Sequence, residues 1–183
     1  LRALDAAAQS KRLCITGGPG SGKTLLALEV CRRELAANPA LKIGLVCFNR
    51  HLGAFLVDVA RADRLEGVTP GSFYLHLDRV LGDVADAKAT DPAYFHQRVR
   101  AALEIAQRTP EAEKFDLLVV DEGQDFRDDG DKLALFDAML KGGLAKGRWR
   151  WFEDLDQILS PEAGTPPAPA HQALLDCLDA FGQ

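Results

Sequence analysis

Four of the eight residues from 17 to 24 are glycine, and the run Gly17-Gly18-Pro19-Gly20-Ser21-Gly22 closes on Lys23 and Thr24. The order fits G-x-x-x-x-G-K-[ST]. Glycines at 18, 20 and 22, with Pro19 and Ser21 between them, let the main chain curl with its N–H groups turned inward, a cradle for phosphate. Lys23 is placed to reach β- and γ-phosphates, and the Thr24 hydroxyl suits magnesium. The chemistry implied is the binding of a nucleoside triphosphate, ATP, with Mg2+.

A second group lies a hundred residues on. The apolar run Leu117-Leu118-Val119-Val120 ends in Asp121 and Glu122. Beside a bound triphosphate, Asp121 can hold magnesium, usually through a water. Glu122 can polarise the attacking water as a general base. Asp125, Asp128, Asp129 and Asp131 read as a solvated acidic loop, and Arg127, Arg148 and Arg150 as surface charges.

These groups need elements to aim them. Residues 13–16 form a short apolar strand running into the glycines, and 24–37 carry helix formers with apolar positions on one side, stopped at Asn38-Pro39. Strands are expected at 41–48, 67–69, 115–120 and 148–152, and helices at 52–60, 72–81 and 131–140. Asp91 caps, and Pro92 opens, a long helix reaching residue 108. Residues 161–169 are Pro-rich and read as a loop, followed by a short helix over 171–181. The strands are apolar throughout and alternate with helices, which argues for a parallel sheet covered on both faces. The fold class is therefore α/β: a three-layer α/β/α P-loop arrangement with a mainly parallel sheet, read as one domain over 1–183.

Bulk properties set limits. A chain of 183 residues with 47% hydrophobic and 27% charged residues is ordinary for a globular domain. No apolar run approaches the ~18 residues of a membrane span, and no secretory leader is seen, so a cytoplasmic location is expected. The formal net charge of −5 lends no support to nucleic-acid binding. Cys14, Cys31, Cys47 and Cys177 form no close pair and read as reduced, buried thiols. The chain opens at Leu1 without a Met, which suggests a segment of a longer protein.

The string Asp121-Glu122-Gly123-Gln124-Asp125 resembles the DE-x-QD signature of superfamily 1 helicases of the UvrD/Rep type. Leu45-Val46-Cys47-Phe48-Asn49-Arg50-His51-Leu52 resembles that family's second-strand motif, and Ser72-Phe73-Tyr74 its Thr-Phe-His-Ser segment. Trp151-Phe152-Glu153-Asp154-Leu155-Asp156-Gln157 resembles its Gly-Asp-x-x-Gln motif. Order and spacing agree across these segments and the glycine loop. The resemblance implies a RecA-like motor domain whose partner is single-stranded DNA, contacted through Phe48, Asn49, Ser72, Phe73 and Tyr74. It also implies that Gln157 senses the γ-phosphate. The second RecA-like domain of such proteins supplies arginines to the ATP site, so this chain by itself is expected to turn over poorly. Glu153 stands where the family carries glycine, Tyr74 where it carries His, and no adenine-reading Gln motif precedes the loop. For Phe48 and Phe73 taken singly, core packing is the stronger expectation.

Two other readings fit the glycine loop. One is a regulatory or signalling NTPase without a nucleic-acid partner, which the loop and the acidic strand end suit equally. The other is a small-molecule kinase, disfavoured because the arginines over 82–109 are scattered rather than clustered into a lid.

Overall fold

A computed structural model describes residues 10–83, 91–127 and 129–154, with residues 174 and 176. In chain order it contains strand β1 (Arg12–Thr16), helix α1 (Lys23–Ala37), β2 (Ile43–Cys47), α2 (Arg50–Ala62), β3 (Val68–Ser72) and α3 (Phe73–Leu81). Then follow α4 (Pro92–Arg108), β4 (Leu117–Val120), α5 (Gly130–Met139), α6 (Gly143–Lys146) and β5 (Arg148–Glu153). Short 3-10 turns cover Glu111–Glu113 and Gly123–Phe126.

The five strands form one sheet in the order β1-β5-β4-β2-β3, and every pair is parallel. Alternating side chains point to opposite faces of a strand, and β4 shows what that does here. Leu118 and Val120 join a cluster with Phe73, Leu77, Val99, Ala102, Phe136 and Trp151, contributed largely by α3, α4 and α5. Leu117 and Val119 join a second cluster with Ala27, Leu28, Cys31 and Leu56 from α1 and α2. The apolar run is thus covered on both sides, and each fully buried side chain contributes about 1.5–3 kcal/mol. Two helical layers around one parallel sheet give the expected three-layer P-loop fold.

Helix ends follow local chemistry. The Asp91 side chain accepts from the Ala93 N–H, with Pro92 in the first turn, as the sequence indicated. Asp129 accepts from the N–H groups of Asp131 and Lys132. It is a helix cap rather than a member of a solvated loop; Asp125 is exposed as expected, and Asp128 lies outside the described residues. Pro70 is accommodated because, among the described residues, β3 pairs on one side only, with β2.

The three arginines expected as surface charges are instead tied into the fold. Arg150 is 1% exposed and Arg127 9%, and Arg148 holds both Glu34 oxygens at 2.9 and 2.8 Å. They are structural, because each meets an acceptor from a distant segment: Glu34 for the pair on β5, Glu153 for Arg127. Cys31 and Cys47 are buried free thiols and Cys14 is half-buried; burial raises all three pKa values, to about 12 for Cys31 and Cys47. Gln157, Cys177 and the Pro-rich stretch lie outside the described residues, as does the expected helix after it apart from residues 174 and 176, which are helical.

Candidate functional site

The carboxyl ends of β1, β5 and β4 lie side by side, and each delivers one component. After Thr16 the chain leaves β1 through the glycine loop. Gly20 and Gly22 have φ of 72° and 85°, the left-handed region that glycine enters freely. An added Cβ at either would meet nothing within 4 Å, so conformation rather than crowding calls for glycine there. Gly22 is also the N-cap of α1. The first turn of α1 has no side-chain cap and no acidic residue, so its N–H groups are free to meet an external anion.

Lys23 curls back over the loop. Its Nζ donates to the carbonyls of Gly17 at 2.7 Å and Gly18 at 3.0 Å, and lies 3.4 Å from Asp154 Oδ2. A lysine only 7% exposed is thereby kept satisfied. Asp154 follows β5 directly and is fully buried.

Asp121 is fully buried. Its main-chain N–H continues the ladder to Val46, and its Oδ1 accepts from the Glu122 N–H at 3.1 Å. Its Oδ2 is buried without a hydrogen-bond partner. Burial raises the Asp121 pKa, and the Thr24 hydroxyl beside it pulls the other way. An orphaned carboxylate oxygen next to a threonine hydroxyl fits a hard cation. Two protein oxygens also suit Mg2+, which keeps waters and substrate phosphates in its remaining positions.

Glu122 sits at φ 53° and ψ 47°, unusual for a residue with a side chain and a feature that gathers at functional sites. Its Oε2 accepts from Gln124 Nε2 at 2.7 Å, and Gln124 Oε1 accepts from the Asp154 N–H at 3.1 Å. Gln124 therefore bridges the acidic strand end to the end of β5. The sequence singled out Gln124 only as a letter of a signature and Asp154 only as a matching position. Their pairing with Glu122 and Lys23 depends on sheet order, which local pattern does not reveal.

The residues expected at DNA lie at the ends of β2 and β3, and most carry structural work. The Asn49 side chain accepts from His51 and Leu52 N–H groups and caps α2. Ser72 accepts from the Leu75 N–H and caps α3. Phe73 is 1% exposed and packs against Phe95, Phe126 and Phe136, so its ring offers no face to a base. Phe48 and Tyr74 are half-buried with ring centroids 5.4 Å apart. Arg50 lies over the Tyr74 ring at 3.9 Å, and Lys132 over the Phe48 ring at 4.7 Å.

The family described as "AAA domain" matches residues 1–145. No curated protein matches the chain.

Proposed function

Because the chain belongs to the AAA-domain family, a P-loop NTPase-like group, we propose that it is the ATP-hydrolysing motor domain of a superfamily 1 DNA helicase or translocase. The observation carrying this is the convergence of Lys23, Asp121, Glu122 and Asp154 on three neighbouring strand ends, joined by Gln124. The resemblance of the same segments to helicase motifs, in the same order, extends it from ATPase to motor.

The roles follow from position. The loop and the uncapped start of α1 hold the phosphates. Lys23 exchanges the carbonyls of Gly17 and Gly18 for phosphate oxygens and neutralises charge on the γ-phosphate. Thr24 and Asp121 would hold Mg2+, which when bound neutralises phosphate charge. Glu122 orients the water that attacks the γ-phosphate and takes its proton. Asp154 and Gln124 connect that reaction centre to the segment after β5, where Gln157 would sense the γ-phosphate. Arginines of a second RecA-like domain would complete the site, and such groups are worth ~10³ or more in rate. Single-stranded DNA would run past Phe48, Asn49 and Tyr74.

The experiment is ATP turnover with and without single-stranded DNA, for the full-length protein that carries this domain and for its Lys23→Ala variant. The reading expects DNA to stimulate turnover several-fold and Lys23→Ala to abolish it. A Lys23→Ala protein that hydrolyses ATP normally would sink the assignment of the site. Turnover indifferent to DNA would instead favour a regulatory NTPase. The capping duties of Asn49 and Ser72 and the burial of Phe73 are the observations on that side.

A further inference from the structure

Behind the site lies an ion pair that the roles above leave unused. Arg127 Nε donates to Glu153 Oε2 at 2.8 Å and Nη2 donates to Oε1, a bidentate fork. Glu153 Oε2 also accepts from Trp151 Nε1 at 3.1 Å, and Oε1 from the Cys14 thiol at 3.3 Å. Both charges are buried, at 9% and 2% exposure. One carboxylate thus joins β1, β5 and the turn after β4, in a network whose strength depends on every member being satisfied.

The two ends of this pair sit one step from the reacting groups. Arg127 closes the turn Gly123–Phe126, which begins on Glu122. That turn lies flat on Trp151: a Cβ at Gly123 would come within 2.0 Å of the indole nitrogen. On the other side, the Glu153 carbonyl accepts from the Gly17 N–H at 3.2 Å, and the next residue is the Asp154 that faces Lys23. The left-handed backbone of Glu122 needs its surroundings to hold it. The side chain beyond it that crosses to β5 from the far end of the turn is Arg127.

We infer that Arg127 and Glu153 are positioning residues, which lock the turn carrying Glu122 to the strand end carrying Asp154 and so fix the general base relative to Lys23. This rests on the site being one that hydrolyses ATP.

Three variants test it. Arg127→Lys keeps the charge but loses the planar fork. Glu153→Gln keeps an acceptor for Trp151 but loses the ion pair. The double variant Arg127→Met/Glu153→Met removes both charges and guards against a buried, unpaired one. Three quantities are read: kcat and KM for ATP, Tm, and amide exchange over residues 122–127 without nucleotide. The expected result for Arg127→Lys is a roughly tenfold fall in kcat, KM within about twofold, and exchange over 122–127 roughly tenfold faster. The double variant should recover most of the Tm but not kcat. Wild-type kcat and unchanged exchange in folded Arg127→Lys and double variants would overturn the inference. So would a kcat loss that merely tracks Tm and vanishes on cooling. If the unaltered protein neither binds nor hydrolyses ATP, the reading of the site fails first and visibly, and the inference falls with it.

Discussion

At the residue scale, the most exact consequence concerns His76. Its ring is 2% exposed, its Nε2 lies 3.3 Å from the Leu45 carbonyl, and Phe115 meets it edge-on. A carbonyl only accepts, so Nε2 carries the proton in this contact. Burial, and secondly the Arg79 charge, lower its pKa from 6.5 to about 4, against the Leu45 hydrogen bond. Below pH 6.5 the unfolded chain takes up a proton that the folded chain refuses until about pH 4. Unfolding free energy should therefore fall by about 1.4 kcal/mol per pH unit across that window, some 3 kcal/mol in all, and level off below it. Denaturant titrations at several pH values, compared with His76→Gln, check this; equal slopes for the two proteins would refute it. His76 is not marked out in the sequence because its burial comes from β2 and from Phe115, two residues before β4, both remote in sequence. Arg127 and Arg150 misled for the same reason. A charged residue is almost never buried unless paired, and their partners Glu153 and Glu34 are 26 and over a hundred residues away.

At the element scale, the long pieces were legible and the short ones were not. Parallel strands buried on both faces announce themselves as apolar runs, and α4 announces itself through Asp91 and Pro92. The turns Glu111–Glu113 and Gly123–Phe126 and the four-residue α6 are too short for a period to show. Caps also allow duty to the fold to be separated from duty to a partner. Aspartate caps as well as asparagine, so Asn49→Asp should leave stability within about 0.5 kcal/mol, whereas Asn49→Ala should cost about 1 kcal/mol. If the end of β2 also lies along DNA, the added negative charge of Asn49→Asp should weaken DNA stimulation of turnover several-fold. A variant of full stability and full stimulation would confine Asn49 to capping.

At the scale of the whole molecule, the site is shared by three strand ends, so a ligand there should hold the sheet together. Nucleotide binding to the folded state alone adds about 2.7 kcal/mol at a hundred times Kd. Tm should therefore rise with ATP, more so with Mg2+ present, and Lys23→Ala should show no rise. Thermal scans at increasing nucleotide measure this directly. The phosphate loop was the part of the site most readable from sequence, because its eight residues are contiguous. The link from Glu122 through Gln124 to Asp154 was not, because it exists only once the strands are ordered.

That order has a consequence in time. Among the described residues β1 pairs with β5 alone, and β5 is made last of the five strands. A growing chain therefore presents the glycine loop long before the strand that seats it beside β4. Until β5 is available β1 lacks the one sheet partner it has among the described residues, and the glycine loop has nothing to seat it beside Asp121, which β2 already holds. Joining ends so far apart makes for slow closure, and the two halves of the candidate site can meet only once β5 has been made to lie between them.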